Sequence, residues 1–225
     1  MQSDVAVPTS AVEFFPALSE LDFIRHAFIS RIPGIDVATE REEALSRLDA
    51  SHAAVRAELG LAGDSFVTAE QVHGNQIAVI DRLLASDRCF EGTDGLITDQ
   101  PGISLGIYVA DCCAVFLVDP VRRCCGLVHS GRKGTELAIV PRAIEKMSEY
   151  FGSRPGDLVV QLSPAIRPPH YEVDFTAEIV RQAQAAGVGQ VHDCGVSTAC
   201  DLSRYYSYRA EKGRTGRMLA TLALR

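Results

Sequence analysis

Between Glu40 and Leu59 the apolar side chains Ala44, Leu45, Leu48, Val55 and Leu59 recur at mostly helical spacing. Thr39 opens this stretch and Gly60 follows it, so the pattern predicts an amphipathic helix with a glycine stop. Upstream, the run over 21–29 reads as a strand followed by a turn at Pro33-Gly34. After Gly63 the period shortens to β-rich runs at 66–72, 76–80, 95–98, 104–110, 114–118 and 124–129. Turn residues at His73-Gly74-Asn75, over 99–102 and at Asp119-Pro120 separate them, which predicts a sheet core. Thr135 is placed to cap a helix running to Phe151; Pro141 inside it kinks it or delays its start, and Gly152 closes it. A buried strand over 157–162, a helix over 176–186 and a short strand over 190–193 follow. The runs 204–208 and 218–224 predict a final strand pair around the turn Gly213-Arg214-Thr215-Gly216. Strands and helices mix without strict βαβ alternation, which favours layered α+β packing over a Rossmann sheet.

A chain of 225 residues buries a substantial core, and we read residues 1–225 as one continuous domain. The balance of 22 basic against 29 acidic residues gives a net charge of −7, which argues against a nucleic-acid-coating surface or a polybasic membrane patch. No apolar run approaches the roughly 20 residues needed to cross a bilayer, and Met1 to Ser10 lacks a basic region followed by a hydrophobic stretch. The expectation is a cytoplasmic protein. Its cysteine count of seven is odd, in a chain large enough to fold without staples, so reduced thiols are expected. The adjacent pairs Cys112-Cys113 and Cys124-Cys125, if on strands, send one thiol to each face.

Three segments place a borderline metal donor beside a turn or strand end: Gln71-Val72-His73-Gly74, Ala110-Asp111-Cys112-Cys113 and Leu127-Val128-His129-Ser130-Gly131. Two imidazoles and a thiolate suit zinc with an open fourth position, and copper also accepts this set. Their separations match no local metal motif, so spacing leaves each residue open between a ligand and a structural role. The junction His129-Ser130-Gly131-Arg132-Lys133-Gly134-Thr135 joins a hydrophobic strand to a helix through two glycines and two cations. Such a junction either holds an anion, phosphate above all, or is a polar connector; it lacks the Walker spacing. Near the end, Tyr205-Tyr206-Ser207-Tyr208-Arg209 and Arg214-Thr215-Gly216-Arg217 concentrate rings and guanidinium groups. They either stack on a base or phenol and pair with an anion, or form an edge hairpin with a basic turn.

Taken in order, several short segments resemble the laccase-domain (polyphenol-oxidase-like, YfiH-like) purine nucleoside phosphorylase family from about Phe23 to the end of the chain. They are Val72-His73-Gly74, Thr93-Asp94-Gly95-Leu96, Ala110-Asp111-Cys112, the stretch from His129 to Thr135, the stretch from Ser163 to Pro168, Tyr171-Glu172-Val173, the stretch from Tyr205 to Arg209, and Thr215-Gly216-Arg217-Met218. The resemblance implies a layered α/β/β/α sandwich with mixed sheets. It implies His73, Cys112 and His129 as the metal-binding and catalytic trio, with zinc, or alternatively copper, as the cofactor. Asp111 joins them as a proton-transfer or supporting group. Purine nucleosides and phosphate are the implied small molecules, with adenosine, inosine or methylthioadenosine phosphorolysed and adenosine deaminated. Arg132, Lys133, Arg209, Arg217 and His170 are the candidate substrate contacts. The alternatives are a copper-dependent polyphenol oxidase, a non-catalytic binding protein, and a factor that edits peptidoglycan precursors.

Departures from the family pattern accompany the matches. Its H-A-G-W-R-G-T reads with Arg132-Lys133 in place of Trp-Arg, and the chain contains no tryptophan. Arg167 stands in place of a glycine, and His170 where cysteine is common. Between Val173 and Cys194 the chain is shorter than the pattern, which bears on any element covering the substrate.

Overall fold

The computed structural model describes residues 11–225, so the reading of Met1 to Ser10 lies outside the described residues. In the first sheet are β1 (Val12–Glu13), β2 (Ile24–Ile29), β3 (Ser65–Ala69), β5 (Arg88–Phe90), β7 (Ile103–Val109) and β12 (Met218–Leu224). In the second are β4 (Ile77–Ile80), β6 (Gly95–Thr98), β8 (Cys113–Asp119), β9 (Cys124–Ser130), β10 (Val159–Leu162) and β11 (Gln190–Asp193). The helices are α1 (Pro16–Ser19), α2 (Arg41–Glu58), α3 (Arg132–Glu136), α4 (Ile139–Phe151) and α5 (Phe175–Ala185). Strand order is β1-β2-β12-β7-β3-β5 in one sheet and β11-β10-β8-β9-β6-β4 in the other, and each mixes parallel with antiparallel pairs.

Alternation along the strands explains why two sheets stack. In β8, Ala114, Phe116 and Val118 join the core between the sheets, while Cys113, Val115 and Leu117 face α4 and α5. The inner core also takes Phe28 from β2, Leu105 and Ile107 from β7, Leu127 from β9 and Leu222 from β12. The outer core takes Ile144 and Met147 from α4 and Ile179 from α5. At about 1.5–3 kcal/mol per fully buried large apolar side chain, these two interfaces dominate the stability. Helix α2 covers the other face of the first sheet, so the layers run α/β/β/α as expected. Its buried stripe is Ala44, Leu48, His52, Val55 and Arg56. Arg56 lies over the Phe66 ring and His52 beside Tyr108.

Most of the expected elements form within a few residues of their expected bounds. Pro141 does delay its helix: the chain makes one turn as α3, passes through Ala138 in the left-handed region (φ 55°), and starts α4 with Pro141 in the first turn. Residues 204–208 form no strand but irregular chain between two turns, which corrects the expected terminal strand pair. The reason is that β12 has no free edge, since Leu222 pairs with His26 of β2 on one side and Leu105 of β7 on the other. Tyr205 and Tyr206 are instead buried in the inner core, with the Tyr206 hydroxyl bonded to the backbone of Ile32.

Candidate functional site

The open end of the β8–β9 hairpin begins the site. Cys113 pairs with Ser130, so Cys112, one residue earlier, stands opposite Gly131 beside His129. A Cβ at Gly131 would collide with the Cys112 sulfur, which explains glycine there. On the other side of β9 the register pairs Gly95 with Val128, which puts Asp94 next to His129; the His129 amide donates to the Asp94 carbonyl at 2.7 Å. His73 arrives on the connection between β3 and β4. Its path is set by Gln71, whose side-chain amide donates to the Tyr108 carbonyl and accepts from the Tyr108 N–H, continuing the ladder to β7 after β3 has ended.

The sulfur of Cys112 and one ring nitrogen each of His73 and His129 lie within 4.8 Å of one another. The two imidazoles meet edge-on, with centroids 4.9 Å apart. Asp94, fully buried, anchors the group: its Oδ1 lies 2.9 Å from His129 Nδ1, and its oxygens accept the amides of His73 (2.8 Å) and Gly74 (2.7 Å). Burial would raise the Asp94 pKa, but these hydrogen bonds and the charge of His129 prevail and hold it below the usual carboxylate range. Its charge therefore keeps the proton of His129 on Nδ1 and turns Nε2 to the cluster.

Burial would also raise the thiol pKa of Cys112, yet the charge of His129 and hydrogen bonds from both histidines bring it well down. Burial would lower that of His129, and the Cys112 charge and Asp94 turn it upward. A thiolate facing two imidazoles, with one held by a carboxylate, is a donor set that fits zinc or copper. Cys113, on the opposite face, is pushed above the ordinary thiol range by burial. Gln71, His73 and Asp111 all adopt positive φ (67°, 62° and 83°), a conformation that costs non-glycine residues energy and clusters at functional sites.

The cluster opens into a cavity of about 760 Å³. Ile166, Tyr171, Phe175 and Tyr208 give it apolar and aromatic wall, and Arg132, Arg209 and Arg217 line it as well. Arg217 is 8% exposed and donates to the carbonyls of Thr215 and Gly216. Burial, with the charge of Arg41 adding to it, lowers its pKa against the opposing charges of Tyr208, Cys112 and Asp111. The Asp111 carboxylate lines the cavity with both oxygens engaged, one by the Thr198 hydroxyl (2.7 Å) and one by the Arg209 amide (2.6 Å).

Tertiary structure thus brings His73, Cys112, His129, Asp111, Arg132, Arg209 and Arg217 to one cavity. Lys133 is exposed on α3 and His170 is exposed near Cys200 and Ser197; neither is among the cavity's lining residues. The expected strand–loop–helix junction forms, but its helix has five residues, so charged side chains rather than a helix dipole face the cavity. The segment after Val173 holds α5, whose first residue Phe175 lines the cavity. Asp94 was absent from the candidate residues, although its motif Thr93-Asp94-Gly95-Leu96 was among the matching segments. That motif was the available signal.

A family model described as multi-copper polyphenol oxidoreductase laccase matches residues 25–179 and 173–225. A protein of Deinococcus radiodurans named purine nucleoside phosphorylase is 31% identical, covering 89% of this chain and 89% of its own length. One of Corynebacterium glutamicum with the same activity in its name is 32% identical over 74% of this chain and 77% of its own. Among solved structures, YlmD of Geobacillus stearothermophilus superposes with a TM-score of 0.75 at 25% identity, covering 91% of this chain and 93% of that one. The hypothetical protein YfiH of Bacillus licheniformis superposes with a TM-score of 0.77 at 24% identity, over 90% and 93%.

Proposed function

The chain belongs to the multi-copper polyphenol oxidoreductase laccase family, and from its cavity and its relatives' names we propose that it is a metal-dependent purine nucleoside phosphorylase. The observation that carries this reading is the His73–Cys112–His129 group opening into a cavity with a buried arginine, Arg217, at hand. In it, His73, Cys112 and His129 hold a zinc ion, which when bound supplies Lewis acidity at the cavity wall. Arg217 pairs with inorganic phosphate, and its burial makes that pairing stronger than at the surface. Tyr171, Phe175 and Ile166 offer the apolar surface on which a purine lies.

Asp94 is a positioning residue: it orients His129 and ties the His73 loop to β6. Asp111 is one too, because its two oxygens are taken by Thr198 and Arg209; it fastens the loop that carries Tyr208 and Arg209 over the cavity. For copper oxidation of phenols, several copper ions need many imidazoles. Among the described residues one three-donor group is present, while His26 packs against Phe15 and Phe116 and His52 is buried on the inner face of α2 beside Tyr108. That distribution favours a single ion and the phosphorylase reading.

The test is to incubate metal-quantified protein with adenosine, inosine or methylthioadenosine, with and without phosphate, and to resolve products by mass spectrometry. Free base and sugar 1-phosphate are expected only with phosphate. His129→Ala and Cys112→Ala are expected to lose both metal and turnover while keeping the fold. Inosine formed from adenosine without phosphate would add a deaminase activity. Full metal content in both variants would overturn the site.

A further inference from the structure

The cavity carries more positive charge than one inorganic phosphate uses. Arg217 is its buried cation, while Arg41, Arg132, Arg209 and Lys212 are half-buried or exposed and so belong to its mouth. Two carboxylates, Glu40 and Asp111, line the same cavity, and Asp111 is already engaged by Thr198 and the Arg209 amide. The chain as a whole has a net charge of −7, so the mouth runs against the sign of the protein.

The mouth cations are also available. Arg41 donates to the Glu70 carbonyl rather than to a carboxylate. Arg132 pairs with Glu136 and Arg209 with Glu172, but all four of these side chains are at least half exposed. Pairs of that kind contribute little and exchange readily for another anion. A neutral nucleoside offers these cations no anion to exchange for. Arg132 is the informative position, because the family pattern has tryptophan there: a neutral aromatic wall is replaced by a group that binds phosphate in bidentate fashion.

Building on the phosphorylase reading, we propose that the preferred substrate is a nucleoside 5′-monophosphate, whose 5′-phosphate lies among Arg132, Arg209 and Lys212 while inorganic phosphate is held at Arg217. The cavity, about 760 Å³, is of the size that encloses small organic ligands of this class. In the reaction an oxygen of inorganic phosphate forms a bond to C1′ of the ribose as the bond from C1′ to the purine nitrogen breaks. The purine leaves with the bonding pair and takes a proton. Products are the free base and ribose 1,5-bisphosphate.

The experiment compares AMP with adenosine and IMP with inosine at equal phosphate, using the metal-quantified full chain, kcat/KM, and mass spectrometry of the sugar products. Because hydrogen bonds between charged groups are strong, the nucleotides are expected to exceed the nucleosides by about tenfold or more. Added salt is expected to narrow that ratio, and Arg132→Trp or, independently, Arg209→Gln to reduce it by about the same factor. Turnover of nucleosides with a nucleotide ratio at or below one overturns this inference and leaves the phosphorylase reading standing. If neither class turns over, the phosphorylase reading fails and the substrate assignment with it, and calorimetric titration decides the 5′-phosphate site alone: AMP binding more tightly than adenosine, and losing that advantage in Arg132→Trp, upholds that site. Equal affinity, or no binding by either, overturns it.

Discussion

Asp94 illustrates how one buried side chain can set the geometry of a site it does not itself complete. It takes a hydrogen bond from the ring of His129 and two more from the amides of His73 and Gly74, so two of the three donors depend on one carboxylate. Asp94→Asn keeps the shape but presents an amide N–H to groups that already donate, which releases the His129 ring from its tautomer. Zinc affinity measured by chelator competition is expected to fall about 10–100-fold, as for other groups that orient metal ligands. Unchanged affinity would mean that the His73 loop and His129 are held by packing alone. At this scale the sequence was partly legible: the three donors stand out as residue types beside turns. Asp94 did not, because an aspartate before Gly95 also reads as an ordinary turn residue until β6 is laid against β9.

Two elements carry buried histidines that have nothing to do with the cavity chemistry. His26 on β2 accepts the Phe15 amide at Nε2, and His52 on α2 has neither ring nitrogen bonded. Burial lowers the pKa of His26 to about 4, and burial with the neighbouring Arg56 charge lowers that of His52 to about 3. Both folded values lie below the roughly 6.5 of an unfolded histidine, so as pH falls the unfolded chain takes up these protons first. Their contribution is therefore fully present above about pH 6.5 and is lost on descending towards 4 and 3, at up to about 1.4 kcal/mol per pH unit for each. Urea titrations between pH 7 and 4 should follow that slope, and His52→Leu should flatten its share. Because His52 has no hydrogen bond to lose, the same variant is expected to gain about 1–3 kcal/mol at pH 7. An acid limb unchanged in His52→Leu would contradict the assignment. Periodicity found α2 from its leucines, valine and alanine, but the buried stripe also includes His52 and Arg56, which polarity alone assigns to the solvent face.

For the whole molecule, the decisive feature is the position of the last strand. β12 lies between β2 and β7, joining the beginning of the chain to its middle. Removing residues 218–225 would separate β1 and β2 from the rest of their sheet and expose the inner core at Leu105, Ile107 and Phe28. The shortened chain is expected to show no cooperative urea transition and to aggregate, whereas loss of an edge strand would merely lower the midpoint. A soluble truncated protein with a sharp transition would refute that placement.

The order of helices and strands was readable along the chain because apolar side chains repeat with the period of the element that buries them, and because Gly, Pro and Asp-Pro mark the ends. The donor types were readable for the same local reason, since residue identity determines which atoms can bind a metal or an anion. Which strands are neighbours was not, and residues 204–208 show why: a strand-like run beside a turn implies a hairpin only if its partner has a free edge, and β12 has none. Nor could spacing assemble His73, Cys112, His129 and Asp94, which meet through the register of β8, β9 and β6 and through the tie from Gln71 to β7. The sequence determined the elements and the chemistry each could offer; the packing of two sheets decided which of those groups share a cavity, because distance in space is set by strand order and register rather than by separation along the chain.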